Sequence, residues 1–158
     1  MLDALILQHA PSSRFLEWGS GLGVVTQMAS RLGYQAYGIE AEPQLVELAR
    51  DLAGEFDSRA EFVTGSFVPD HFQWRPELGH EAERTLMDLP DAYGDLGMEL
   101  DDFDLVYVYP WPSEHSLLKG IMQSCGGTHT RLLVYDAREG IMVYTHRDWG
   151  GDRPAGGA

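Results

Sequence analysis

The 158-residue chain is the size of one domain, and its 44% apolar content suffices for one sizeable core but not for two full domains. A formal net charge of −14, with Lys119 the only lysine and the arginines scattered singly, opposes wrapping of a phosphate backbone or an anionic membrane surface. A single cysteine, Cys125, rules out an intrachain disulfide, so a reducing compartment, the cytoplasm, is the expected location.

Leu2, Leu5 and Ile6 stand at helical spacing, and Pro11-Ser12-Ser13 stops the pattern, so a short helix is expected over residues 3–10. This opening has no basic n-region and Asp3 breaks its apolar run, so neither a signal peptide nor an anchor is expected. Residues 14–17 read as a short buried strand, followed at once by Gly19, Gly21 and Gly23. Residues 24–32 read as a helix with Gly33 just past its end, and residues 35–40 as a second strand. Pro43 fits the first turn of a helix whose apolar stripe is Leu45, Val46, Leu48, Ala49 and Leu52 and which ends near Gly54. Residues 60–64 form the third expected strand, closed by Gly65-Ser66. Strand, helix, strand, helix, strand is the order of a parallel sheet with right-handed crossovers.

Between residues 68 and 102 the periodicity weakens and prolines and glycines multiply. Residues 77–104 hold ten acids against one base, Arg84. A solvated helix with loops is the plain reading of this insert; the sharper one is a mobile cover over a site that favours a cationic ligand. Residues 104–109 are the clearest later strand, stopped by Pro110 and Pro112. Ser113 is placed to cap a helix carrying Ser116, Leu117, Leu118 and Ile121 and ending at Gly126-Gly127. Residues 130–135 form a fifth strand, and residues 141–145 a sixth that pairs antiparallel at the edge. One domain over residues 1–150 and a glycine-rich, disordered tail over 151–158 complete the expectation.

The chemistry concentrates in the first β-α-β unit. A glycine turn that ends a strand and opens a helix lets backbone N–H groups approach a polar ligand with no Cβ in the way. Glu40 stands 21 residues after Gly19 at the end of the second strand, where an acid can accept hydrogen bonds from both hydroxyls of a ribose. A nucleoside-containing cofactor is therefore expected. A dinucleotide fingerprint needs G-x-G-x-x-G, and its last position here is Val24. The glycines run instead as G-x-G-x-G after Glu17, which opposes a nicotinamide-dependent oxidoreductase.

Glu17-Trp18-Gly19-Ser20-Gly21-Leu22-Gly23 resembles the first motif of class I S-adenosylmethionine-dependent methyltransferases. The resemblance implies a Rossmann-like three-layer α/β/α sandwich with a mostly parallel sheet and S-adenosylmethionine as cofactor. It implies that Glu17, Gly19, Ser20, Gly21 and Gly23 surround the methionine part and ribose, with Glu17 toward the ammonium end. Glu40 would hold the ribose hydroxyls, Ala41 would lie against the adenine, and Gly65, Ser66 and Phe67 would follow the third strand near the adenine ring. An aspartate common near that point in the family is absent beside Gly65 and Ser66.

The end of the fourth strand would face the transferable methyl, which makes Tyr109, Pro110 and Trp111 the candidate catalytic residues. Tyr109-Pro110-Trp111-Pro112 is loosely similar to the Asp/Asn-Pro-Pro-aromatic sequence of amino-methyltransferases, but Tyr109 stands where the amide or acid would hold an amine, so N-methylation is not carried over. The family usually has seven strands ending in an antiparallel pair, and six are placed here, so the sheet is expected to be shortened at its C-terminal end or completed by a partner chain in a homo-oligomer.

Plain readings stand beside these. Tyr109 and Trp111 are either rim aromatics or contacts to a small-molecule substrate, and Glu114 is either a base or a helix first-turn acid. The six histidines show no ligand spacing, and Asp101, Asp102 and Asp104 lack the glycine of a calcium loop, so no metal is expected. Cys125 is read as packing. Two functions are open at this point: a methyltransferase acting on an unidentified small molecule, and a non-catalytic module that keeps the fold for binding or interaction.

Overall fold

The computed structural model describes residues 13–73 and 89–149. The expected helix over 3–10, residues 77–88 of the acidic insert and the glycine-rich tail lie outside the described residues. Six strands form one sheet: β1 (Arg14–Trp18), β2 (Gln35–Glu40), β3 (Glu61–Thr64), β4 (Leu105–Val108), β5 (Arg131–Asp136) and β6 (Gly140–Tyr144). Their order is β3-β2-β1-β4-β5-β6. The pairings among β1 to β5 are parallel and β6 is antiparallel to β5. The helices are α1 (Val24–Arg31), α2 (Pro43–Glu55), α3 (Ala92–Leu96), α4 (His115–Cys125) and α5 (His146–Trp149).

The parallel strands are short apolar runs because helices cover both faces of such a sheet. Phe15, Leu16, Leu105, Val106 and Leu133 are fully buried. One face carries the larger core, in which Leu16, Trp18, Val106 and Leu132 meet Leu117, Leu118 and Ile121 of α4. A second cluster joins Phe15, Leu105 and Leu133 to Ala29 of α1. Val46, Ala49 and Ala53 of α2 close a third over Phe62. Among the described residues no helix is long and apolar enough to cross a membrane.

Chain order reverses on either side of β1, which lies between β2 and β4, so the crevice at their carboxyl ends is a topological switch point. Register sets the residues that meet there: Trp18 pairs with Ile39 on one side and Val108 on the other. The strand expected over residues 14–17 thus gains Trp18, held in two ladders. At the other end, Arg14 N–H donates to Asp104 Oδ2 at 2.8 Å, which uses that acid structurally.

Local chemistry moved several boundaries. Glu114, not Ser113, occupies the cap position of α4, without a side-chain cap bond; its Oε2 instead accepts from Trp111 N–H at 3.0 Å. The nominal loop between residues 89 and 102 holds α3, where Asp91 Oδ1 caps Gly94 N–H at 3.0 Å, and a 3-10 turn (Leu100–Asp102) closed by reciprocal Glu99 and Asp102 bonds. This stretch buries Ala92, Tyr93 and Leu100, so its described part is core structure. β5 passes to β6 through a tight turn in which Asp136 Oδ1 accepts from Arg138 N–H at 2.7 Å and Glu139 N–H at 2.9 Å.

A buried relay ties α3 to the centre of the sheet. Trp18 Nε1–H donates to Tyr93 Oη at 3.0 Å, and Tyr93 O–H donates to the Phe67 carbonyl at 2.8 Å. The Trp18 and Phe67 rings stack, with centroids 5.0 Å apart. Burial pushes the Tyr93 hydroxyl well above the ordinary tyrosine range, so it stays protonated and serves as donor and acceptor at once. Tyr93→Phe leaves the indole N–H and the carbonyl unpaired, and we expect a loss of about 1–3 kcal/mol in urea denaturation; unchanged stability would remove the relay from the interactions that hold this end of the sheet.

Candidate functional site

A cleft of about 300 Å³ opens at the switch point. Its floor is the register row Ile39, Trp18 and Val108, and the next residue on each path, Glu40 as the last of β2 and Gly19 and Tyr109 just past β1 and β4, forms its rim. Ala41, Gly65, Ser66, Phe67, Leu89, Trp111 and Glu114 complete the lining.

The glycine turn is built by backbone conformation. Gly19, Gly21 and Gly23 have φ of 66°, 54° and 73°, a region that a side chain disfavours. Gly23 is also pressed against β3, since a Cβ there would overlap the Phe62 ring. Ser20 N–H donates to the Ile39 carbonyl at 3.0 Å and Gly23 N–H to the Ser20 carbonyl at 2.8 Å, which folds the turn onto β2. Across the cleft, Gly65 permits a second close approach: a Cβ there would strike the Pro90 carbonyl oxygen. Ser66 N–H donates to that carbonyl at 3.2 Å, and this seats Leu89 on the cleft.

Two carboxylates flank the turn and do different work. Glu40 Oε2 accepts from Gly21 N–H at 2.8 Å, and Oε1 accepts from Glu42 N–H at 3.0 Å. Each oxygen retains a further lone pair, and the group borders the cleft, so it can accept from two donors on a ligand. Glu17 is buried, with Oε2 accepting from Thr26 N–H at 2.9 Å and Thr26 Oγ1–H at 2.5 Å. Gly23, the residue that caps α1, has no side chain, and Glu17 reaches from β1 to satisfy the third N–H of the helix in its place. Burial raises its pKa to about 7, the Thr26 bonds oppose the shift, and the nearby Glu40 carboxylate adds to it.

Of the residues singled out in the sequence, Gly19, Glu40, Ala41, Gly65, Ser66, Phe67, Tyr109 and Trp111 share this cleft. Glu17, Ser20, Gly21 and Gly23 stand behind the lining as its support. Pro110 borders a neighbouring recess with Tyr109 and Trp111. Glu114, read from the sequence as either a base or a helix first-turn acid, also lines the cleft, as do Trp18, Ile39, Leu89 and Val108, to which no site role was given. Ile39 and Val108 carry a readable signal, the last apolar residue of a strand; Leu89 carries none, because a tertiary contact places it. Among the described residues no three His, Cys, Asp or Glu side chains converge as a metal site.

The arrangement can hold a ligand with a diol or two adjacent hydroxyls over Glu40, with an apolar ring between Ala41 and Phe67. Exposed aromatics border the far side, Tyr109 at 66% and Trp111 at 75% exposure.

No protein-family model matches the chain, and no curated protein sequence does. The fold is that of class I S-adenosylmethionine-dependent methyltransferases. An RNA methyltransferase from Salinibacter ruber, solved in complex with S-adenosyl-L-homocysteine, superposes with a TM-score of 0.56 at 21% identity, over 85% of this chain and 74% of its own. A tRNA (uracil-54, C5)-methyltransferase from Pyrococcus abyssi in complex with the same molecule gives a TM-score of 0.52 at 16% identity, over 84% of this chain and 26% of its own. A S-adenosylmethionine-dependent methyltransferase from Thiobacillus denitrificans, also with S-adenosyl-L-homocysteine, gives 0.52 at 15% identity, over 84% of this chain and 46% of its own. The present chain thus spans about a quarter to three quarters of these proteins. Two of the three are named as RNA enzymes, so these neighbours lend no support to the expectation, drawn from charge, that nucleic acid is not a partner.

Glu17 yields a prediction of sign. Its folded pKa of about 7 lies above the unbound value of 4.5, so the folded state keeps this proton to higher pH than the unfolded chain does. Its contribution to stability is full below pH 4.5, falls as pH rises toward 7 and is level above, a change of roughly 3 kcal/mol. Glu17→Gln keeps an oxygen for the Thr26 bonds and removes the titration. We expect a flatter dependence of unfolding free energy on pH between 5 and 7.5 in the variant; equal slopes would contradict this account.

Proposed function

We propose that the protein binds S-adenosylmethionine in the switch-point cleft and transfers its methyl group to a small-molecule acceptor. The observation that carries the reading is the pairing of Glu40 with the glycine turn at the end of β2, bordering a cleft of about 300 Å³ on the methyltransferase fold. The residues fit the cofactor: Glu40 presents two oxygens at the place of a ribose diol, and Ala41 and Phe67 offer apolar surface for an adenine. S-adenosylmethionine supplies an electrophilic methyl on a sulfonium centre.

In this reading Glu40 binds the ribose hydroxyls, while Gly19 lets the methionine part lie close to the backbone. Glu17 acts through the helix, holding the first turn of α1 so that the turn keeps its shape. The buried floor of Trp18, Ile39 and Val108 excludes water beneath the ligand. Tyr109, with Pro110 and Trp111 behind it, meets the acceptor at the end of β4. Catalysis in this reading works chiefly by proximity and alignment of the acceptor. The acidic surface attracts a cationic cofactor at low ionic strength.

A second reading, a binding module without turnover, is favoured by Tyr109 standing where an amine-holding amide or acid would be. Release of S-adenosylhomocysteine across a broad panel of small molecules separates the two. The cofactor itself is tested by isothermal titration with S-adenosylmethionine, S-adenosylhomocysteine and NAD. Saturable binding of the first two and none of the third is expected, with Glu40→Ala weakening both by about 10- to 100-fold through loss of charge-assisted bonds. Absence of S-adenosylmethionine binding would refute the assignment, and unchanged affinity in Glu40→Ala would remove Glu40 from the ribose site.

A further inference from the structure

A second recess, of about 600 Å³, opens beside the cleft between the ends of β4 and β5. Tyr109 and Trp111 border both spaces. The recess is completed chiefly by Tyr135, His115 and Asp136. Register explains the meeting: Val108 pairs with Val134, so the residues that follow, Tyr109 and Tyr135, emerge side by side. Their rings meet edge to face, with centroids 5.2 Å apart and planes at 86°. Tyr109 and Trp111 are largely exposed there, so their rings are open to a ligand.

We propose that this recess is a subsite for an organic cation of the alkylammonium class. Three aromatic rings border it, and their faces attract a cation through the ring quadrupole. Asp136 supplies the opposite charge. Its carboxyl is held below the usual carboxylate range by the Glu139 and Arg138 N–H groups, with the Arg138 guanidinium adding to the effect. Those two N–H bonds fall on Oδ1. The net charge of −14 makes the same demand and disfavours a polyanion in this place. A nucleobase would stack on the rings and donate an amino N–H to Asp136 but bring no positive charge, so the choline and nucleotide arms of the test separate the two. That the cation belongs to the methyl acceptor rests on the cofactor reading above; the cation site itself stands on the recess.

The test is calorimetric titration of the full chain with choline and with its uncharged isostere 3,3-dimethylbutan-1-ol, with adenosine 5′-monophosphate as the nucleobase probe. Choline is expected to bind saturably, about tenfold more tightly than the neutral isostere. Trp111→Ala and Asp136→Asn should each weaken choline about fivefold, with S-adenosylhomocysteine affinity unchanged in Asp136→Asn. Equal affinity for choline and its isostere, no saturable choline binding, tighter binding of the nucleotide, or indifference to both substitutions would each overturn the proposal. S-adenosylhomocysteine is titrated separately in the same preparations. If it fails to bind while choline binds as stated, the cofactor reading and the acceptor assignment fall and the cation site stands; if it binds and choline does not, the recess proposal falls alone.

Discussion

The constraint on which the site depends is the parallel register of three strands. Trp18 is level with Ile39 and Val108, so β1 and β4 end, and β2 comes within one residue of its end, at one row of buried apolar side chains. The residue that follows the row on each strand reaches the carboxyl edge of the sheet at the same height. Gly19, Glu40 and Tyr109 therefore meet although they are far apart in the chain, and a shift of one residue in any ladder would carry a rim residue into the sheet. The site is in this sense a boundary condition of the core, and the relay from Trp18 through Tyr93 to Phe67 fixes the same row from the side of α3.

Two acids at the glycine turn show how environment divides a shared chemistry. Glu17 and Glu40 lie at the ends of neighbouring strands. The first is enclosed against α1 and its charge is costly; the second faces the cleft, bonded to Gly21 and Glu42 N–H groups with lone pairs to spare. Burial makes ionisation of Glu17 costly, and the neighbouring Glu40 carboxylate adds to that cost. Glu40, with one N–H donor on each oxygen, is the acid left open to hydroxyl donors at the ligand face.

Much of this was legible in the amino-acid sequence, for identifiable reasons. Parallel strands are continuous apolar runs between glycines, and the bounds of β2 agree with those read from the sequence. Gly19, Gly21 and Gly23 declare a turn, and Glu40 declares its position by distance along the chain. Hidden from a local reading were α3 and the 3-10 turn, too short for periodicity and interrupted by Gly94 and Gly97. Trp18 belongs to the motif but has no role readable within it, and its role follows from Tyr93, 75 residues away. Leu89 reaches the cleft through the Pro90 carbonyl, and Glu114 displaced Ser113 as cap because its carboxylate serves the Trp111 backbone.

The two tryptophans of the cleft differ sharply in surroundings: Trp18 is 2% exposed in the floor and Trp111 is 75% exposed on the rim. An indole in an apolar, rigid setting emits to the blue of one in water. With Trp74, which lies outside the described residues, replaced by Phe, the molecule carries two spectrally separable lamps beside one ligand space, one reporting the integrity of the core and the other the occupancy of the rim. Trp149 is also buried and adds to the blue component. Folding and occupation can for that reason be followed at once in this protein, without a label.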